Sequence, residues 1–274
     1  MGRRSDSLQN HYDVLGLLLT DPRLPGMVDD IIVEWGNPLY QDTIDAFIAG
    51  QPVADAELRP VWRNTTQSPL ETWDAPVYEQ FYRLARAVNW ALPARKPIRV
   101  LAGDSPIDWA KITTASQLRA IPPRNTFVAS LVDKQVLAKG HRALLCYGMT
   151  GLFHGTGMTE AVEQRTGQRI YVIADLVPHA GDPGGLASKL SHYPRNTVIA
   201  AAGTWLGSFD AGLLVAETQG SQPGTPSNTS TPAAGQPPAA TQAADRTPSG
   251  GTRSAGCGWD PSSTPACTPA SPQT

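Results

Sequence analysis

Residues 28–36 read VDDIIVEWG, a β-branched apolar run that ends in a carboxylate, a tryptophan and a glycine. A run of this length, bounded by polar residues and glycine, predicts a buried strand that leads into a loop. The segments IRVLAG at 98–103 and ALLCYG at 143–148 have the same form and also stop at glycine. Continuous apolar runs are typical of strands that are buried on both faces, as in a parallel sheet.

Helical patterns fill much of the sequence between these strands. In residues 76–92, Val77, Phe81, Leu84 and Val88 recur at helical spacing, which predicts an amphipathic helix. The other predicted elements are helices at 124–139 and 158–166 and strands at 169–176 and 197–202. Strands that alternate with helices predict an α/β fold, with a mostly parallel central sheet and helices on both of its faces.

The composition changes sharply near residue 216. Residues 217–274 contain no Leu, Ile, Val, Phe or Met, and they hold 10 of the 25 prolines. Such a segment buries too little apolar surface to offset about 1–2 kcal/mol of backbone entropy per residue. The sequence therefore predicts an α/β domain at 1–215 and a disordered Pro/Ala/Ser/Thr/Gly-rich tail at 216–274. The tail suits a linker or stalk with a glycosylation sequon at Asn228, a solvated extension without a role, or an out-of-frame translation.

Charge and composition exclude several classes of protein. The formal net charge is −2 and no long Lys/Arg run is present, so we predict no nucleic-acid binding. No stretch approaches the roughly 18 consecutive apolar residues of a transmembrane segment. The three cysteines lie far apart without a CxxC pair, which argues against a disulfide scaffold and a cysteine zinc site. The polar start predicts a cytoplasmic protein as written, and an exported one if the true N-terminus lies upstream.

The predicted strand ends carry the candidate site. Ligands of parallel sheets bind beyond the carboxyl ends of the strands, so Glu34, Asp104 and the 148–154 loop are expected to converge there. Glu34 suits a general base or a metal ligand, or a strand-end acid that caps a helix. Asp104 suits a metal ligand or an orienting carboxylate, or a turn residue that caps backbone amides.

A cation and a histidine are expected at the same opening. Arg63 suits the clamping of an anionic group, with a surface ion pair as the alternative. His154 follows the third strand closely enough to reach the opening. Trp35, Trp109 and Tyr147 are expected to form the walls of the pocket. The sequence has no HExxH, GxSxG, GxxxxGK[ST] or strand-linked GxGxxG motif, so the usual zinc-peptidase, serine-hydrolase and nucleotide-binding signatures are absent.

Five phrases of the sequence resemble one protein superfamily. They are DDIIVEWGNPLYQ (29–41), VWRNTTQ (61–67), IRVLAGDSPIDW (98–109), KQVLAKGHRALLCYG (134–148) and AAGTWLG (201–207). Together they are similar to a bacterial branch of the erythromycin-esterase/ChaN-like superfamily, which includes the Tiki and TraB proteins. The likeness covers about residues 1–210, and GDSPIDW is its most specific part. It implies an α/β core, and characterised members include esterases, metal-dependent proteases and a haem-binding uptake protein.

The resemblance also has departures. Glu34 is similar to the superfamily's second glutamate and Arg63 to its arginine. The superfamily's first strand, with its Gly-Glu/His motif, is expected before residue 1. The later Gly-x-x-His motif corresponds to residues 148–151, which end in glycine, and His154 lies three residues further on. The domain is therefore expected to be truncated at both ends.

The resemblance implies a metal- or histidine-assisted hydrolase that is weakened or inactive here. Glu34 is expected as base or metal ligand, Arg63 as the holder of an oxyanion or carboxylate, and Asp104 as an orienting group or a ligand of a divalent metal. One alternative is a protein that binds haem or another planar apolar small molecule, with His154 or Tyr147 as axial ligand. The other alternative is a non-functional fragment.

Limited proteolysis is expected to trim the chain to a core that ends near residue 215, because the segment beyond has almost no apolar side chains to bury. The trimmed core should keep the melting temperature of the full chain. Mass spectrometry of the fragment and thermal unfolding measure the two outcomes. A tail that resists protease, or a core that loses stability on trimming, contradicts the prediction.

Overall fold

The computed structural model describes residues 9–70, 72–91, 97–148, 151–176, 189–190, 192–194, 197–200 and 210–214. The predicted tail at 216–274 lies outside these residues, as do the AAGTWLG phrase and positions 149–150 of the 148–154 loop. All the described residues belong to one unit of the chain, Met1–Thr225.

Helices and strands alternate along most of the described chain. The α-helices are α1 (Gln9–Thr20), α2 (Leu24–Met27), α3 (Gln41–Ile48), α4 (Asp55–Leu58), α5 (Pro60–Arg63), α6 (Pro76–Ala91), α7 (Ala115–Arg119), α8 (Arg124–Leu131) and α9 (Gly157–Thr166). The strands are β1 (Asp30–Val33), β2 (Arg99–Ala102), β3 (Ala143–Cys146), β4 (Ile173–Leu176), β5 (Val198–Ala200) and β6 (Ala211–Leu214). None of the helices in this part of the chain has the length and apolar character that a membrane span needs.

Three strands form a parallel sheet with β1 at its centre. The order is β2-β1-β3, and β1 pairs in parallel with both neighbours. Val33 of β1 lies level with Ala102 of β2 and with Cys146 of β3, so the three strands end at one edge. The predicted α/β fold with parallel strands is confirmed. The residues that follow each strand lie at the edge where such sheets bind ligands.

Helices cover both faces of this sheet. Because side chains alternate along a strand, Ile31 and Val33 point to one face and Ile32 points to the other. The first face packs in one apolar core with side chains of α1, α3 and α6, and the second face packs in another core with side chains of α8 and α9. All three residues are fully buried, as expected of a strand covered on both sides.

The remaining described strands form a second sheet. Its order is β4-β6-β5, in which β4 pairs in parallel with β6 and β5 pairs antiparallel with it. The described strands thus form two three-stranded sheets, where the sequence predicted one central sheet. The predicted strand at 169–176 begins only at Ile173. Just before it, the Val172 amide donates to the Asp210 carboxylate at 2.7 Å, and the Val172 carbonyl accepts from the Ala211 amide at 3.0 Å.

The predicted helix at 124–139 changes its winding twice. It is α-helical only to Leu131, after which Val132–Val136 forms a π-helical turn and Leu137–Lys139 a 3₁₀ turn. Gly140 ends the helix with a φ of +70°, a left-handed conformation that favours glycine. Turns of π-helix are rare and occur often at functional sites.

Gly103→Ala is expected to destabilise the domain by about 1–3 kcal/mol. A Cβ at position 103 would meet the Tyr147 hydroxyl, the Ile32 side chain at 2.7 Å and the Val33 carbonyl at 2.9 Å, which is closer than a Cβ atom approaches other heavy atoms. Gly26→Ala is the control, since nothing lies within 4 Å of its added methyl group. Urea unfolding measures both variants, and equal stability of the two contradicts tight packing at this edge of the sheet.

Candidate functional site

Two acidic residues meet where the strands of the first sheet end. Glu34 directly follows β1, and Asp104 follows β2 after one glycine. Backbone pairing continues past the strand ends, since the Gly103 amide donates to the Val33 carbonyl at 2.8 Å and the Glu34 amide to the Cys146 carbonyl at 3.0 Å. The parallel pairing therefore brings Glu34 and Asp104 to the same edge, as the sequence predicted.

Arg124, the first residue of α8, connects the two carboxylates. Its Nε donates to Asp104 Oδ1 at 2.8 Å, and its Nη1 donates to Glu34 Oε1. Its Nη2 donates to Thr66 Oγ1 at 2.9 Å. One guanidinium therefore pairs with both acids, an arrangement that suits its planar set of donors. We refer to these three charged residues as the Glu34–Arg124–Asp104 cluster.

Every carboxylate oxygen of the cluster accepts a hydrogen bond. Thr66 donates to Asp104 through its amide, at 2.6 Å from Oδ2, and through its hydroxyl, at 2.8 Å from Oδ1. The Gly148 amide donates to Glu34 Oε2 at 2.8 Å. The Asp104 side chain is fully buried, whereas the side chains of Glu34 and Arg124 are 12% and 22% exposed. Charges this deeply placed are stable only when they are paired and hydrogen-bonded.

Burial and charge shift the pKa values at the cluster. Burial raises the pKa of Glu34 above its ordinary 4.5, although the Arg124 charge and the Gly148 amide act in the opposite direction. Burial also raises the pKa of Tyr147 well above 10, and the Glu34 carboxylate adds to this effect. Burial alone would lower the pKa of Arg124, but the two carboxylates outweigh it and raise that pKa. A carboxyl group with a raised pKa beside a permanent cation is a candidate acid–base group.

Arg63 does not lie in this cluster, contrary to the prediction. It is the last residue of α5, its side chain is 43% exposed, and its guanidinium pairs with Asp74. Arg124 takes the position that was expected of Arg63. Local patterns in the sequence do not single out Arg124. The chain forms α7 between β2 and α8, so the order of strand and helix does not place the start of α8 at the strand ends.

His154 is also held elsewhere. Its Nε2 lies 2.9 Å from Asp210 Oδ2, and its Nδ1 lies 3.4 Å from Glu163 Oε1. Asp210 in turn accepts a hydrogen bond from Arg169 at 3.0 Å. His154 therefore links α9 to the residue before β6, and the expectation that it joins the strand-end site is corrected.

The three aromatic residues expected as pocket walls have different positions. Trp35 is buried in an aromatic core, with its ring centroid 5.6 Å from that of Tyr78, so it does not wall the site. Trp109 donates from Nε1 to the Thr65 carbonyl at 2.8 Å and ties the loop after β2 to the segment after α5. Tyr147 stays at the strand ends, where its hydroxyl donates at 2.8 Å to the carbonyl of the glycine after β2.

The donor set of the cluster does not suit a divalent metal. Arg124 places its cation against both Glu34 and Asp104, where a metal bound by the two carboxylates would have to lie. Within the described residues, no three His, Cys, Asp or Glu side chains are grouped as a metal-ligand set. A haem ligated by His154 or Tyr147 would require these side chains to leave the hydrogen bonds described above.

No protein-family model matches the sequence, and no match was found among curated proteins or solved structures. The resemblance to the erythromycin-esterase/ChaN-like superfamily therefore stays a prediction.

Arg124→Met is expected to destabilise the domain by about 3–5 kcal/mol, because it leaves two carboxylates in the interior without their cation. Arg63→Met is the matched control and should cost about 1 kcal/mol or less, since both partners of its ion pair are well exposed. Chemical denaturation at neutral pH measures the two variants. Similar losses in both would show that Arg124 has no special place in the fold.

Proposed function

We propose that this chain is a hydrolase-like α/β domain of the erythromycin-esterase/ChaN-like type, with weak activity on esters or amides of small carboxylic acids. The observation that supports this best is the contact of Arg124 with both Glu34 and Asp104 at the carboxyl edge of the parallel sheet. This edge is where α/β proteins bind their ligands. A titratable carboxyl group and a fixed cation at one site are the parts that acyl hydrolysis requires.

In this scheme Glu34 is the general base. Its carboxylate accepts a proton from a water molecule while the water oxygen forms a bond to the acyl carbon. The leaving alkoxide or amine takes that proton from Glu34 as its own bond to the acyl carbon breaks. Burial raises the pKa of Glu34, which makes its ionised form a stronger base than an exposed glutamate. The side chain is 12% exposed, which gives water access to it.

Arg124 supplies positive charge for the oxyanion that forms on the substrate. An arginine has five N–H donors, and the contacts to Asp104, Glu34 and Thr66 engage three of them among the described residues. Nη1 and Nη2 each carry a second N–H, and the side chain is 22% exposed. A cation fixed in advance beside the developing negative charge is a large contribution to acyl transfer.

Asp104 is a positioning residue in this scheme. It is fully buried and acts through Arg124, whose Nε donates to it, while Thr66 holds its two oxygens. The scheme has no imidazole, because His154 is bound by Asp210 and Glu163. A carboxylate base alone is the reason that we propose weak activity.

Hydrolysis of a panel of chromogenic esters, lactones and peptides by the purified full chain tests the proposal. The rate is expected to rise with pH as the Glu34 carboxyl group ionises and to level off above its raised pKa, because only the carboxylate accepts a proton. Glu34→Gln should lower kcat/KM by about 100-fold or more. Glu79→Gln changes a glutamate on the outer side of α6 that pairs with Arg83, and it should leave kcat/KM unchanged.

Circular dichroism and thermal unfolding of Glu34→Gln separate a loss of catalysis from a loss of fold. Full activity in Glu34→Gln would exclude Glu34 as the base. Absence of hydrolysis across the panel, with and without added Mn²⁺, Co²⁺ or Zn²⁺, would contradict the proposed function. A shift of the Soret band on addition of haem would then favour the ligand-binding alternative.

A further inference from the structure

A cavity lies alongside strand β3, away from the Glu34–Arg124–Asp104 cluster. Its volume is about 350 Å³, which falls in the usual range of small-molecule pockets, roughly 300–1,000 Å³. It is bounded by β3 at the edge of the first sheet, by β4 at the edge of the second sheet, and by helix α9 between them. None of the cluster residues lines it.

Apolar side chains form most of the wall of this cavity. Leu145 comes from β3, Met158 and Val162 come from α9, and Ile170 comes from the segment that leads to β4. Met158 and Val162 belong to the core under the first sheet, and Ile170 packs against both that core and the one beside the second sheet. The cavity therefore offers an apolar space between two cores, where burial favours an apolar group.

The π-helical turn shapes one side of the cavity. Val132 and Val136, its first and last residues, both line the cavity. The chain then reverses at Gly140, and the His141 amide donates to the Val136 carbonyl at 3.0 Å. This winding places His141 in the cavity wall, where its Nδ1 lies 2.9 Å from the fully buried carboxylate of Asp30.

Two charged side chains line the cavity, and both are arginines. They are Arg142 and Arg169, and among the described residues no aspartate or glutamate lines the cavity. Arg142 donates to the neutral Gly26 carbonyl at 2.6 Å, whereas Arg169 pairs with the Asp210 carboxylate at 3.0 Å, which offsets its charge. The Arg142 cation beside an apolar space is complementary to a ligand with an apolar body and a single negative charge.

We propose that this cavity binds an apolar monocarboxylate such as a medium-chain fatty acid. The alkyl chain fills the space between β3, β4 and α9, and the carboxylate pairs with Arg142. An alcohol of equal length buries the same chain but forms no ion pair, and an amine of equal length is repelled by Arg142. The inference goes beyond the proposed hydrolysis, because the two sites share no residue.

Isothermal titration of the full chain with octanoate, octanol and octylamine tests the proposal. Octanoate is expected to bind about ten-fold or more tightly than octanol, because one charge-assisted hydrogen bond contributes at least that factor to the affinity. Octylamine is expected not to bind. Arg142→Gln should weaken octanoate binding about ten-fold and leave octanol binding unchanged. Arg83→Gln, which changes a surface arginine outside the cavity, should alter neither affinity.

Ala143→Phe tests the location of the site, since Ala143 lines the cavity and the larger ring fills part of it. Loss of octanoate binding with an unchanged melting temperature supports the proposal. If Ala143→Phe does not fold, the Arg142→Gln comparison decides. Equal affinities for octanoate and octanol, undiminished octanoate binding in Arg142→Gln, or no octanoate binding at all would overturn it. Hydrolysis assays of the same variants report on the Glu34–Arg124–Asp104 cluster separately, so the two proposals can fail independently.

Discussion

The guanidinium of Arg124 lies against two carboxylates that the parallel pairing of β1 and β2 brings together. Glu34 and Asp104 follow neighbouring strands that end level, and two acids placed so close in the interior repel each other. A cation in contact with both carboxylates turns this repulsion into a net attraction. The edge of the sheet and the start of α8 therefore stabilise one another. Thr66 extends the same network to the segment after α5.

Part of this arrangement can be predicted from the sequence. An apolar run that stops at an acid indicates a strand end, and parallel strands share their carboxyl edge, which is enough to place Glu34 and Asp104 together. The partner cation cannot be predicted in this way, because any arginine on a neighbouring segment satisfies the same pattern. Arg63 finds a nearby exposed partner in Asp74, whereas Arg124 reaches the edge only because α8 begins there.

The position of His154 is unpredictable for a related reason. It depends on Asp210, which directly precedes β6. Strand β6 has only four residues, AGLL, and a pattern this short does not distinguish a strand from a loop. Once β6 pairs with β4, the Asp210 carboxylate caps the Val172 amide and also meets His154. A histidine's partner is thus fixed by a sheet that local patterns do not reveal.

The side chains of the Glu34–Arg124–Asp104 cluster differ in their exposure to water. The attraction between opposite charges is stronger where water is excluded, as it is from the Asp104 side chain. Glu34 and Arg124 instead keep 12% and 22% of their side chains exposed, which weakens their attraction. In the proposed hydrolysis, water must reach the carboxyl group with the raised pKa, and a substrate oxygen must reach the cation beside it. The proposed general base and the proposed oxyanion-binding cation are thus the two members of the cluster whose side chains reach solvent.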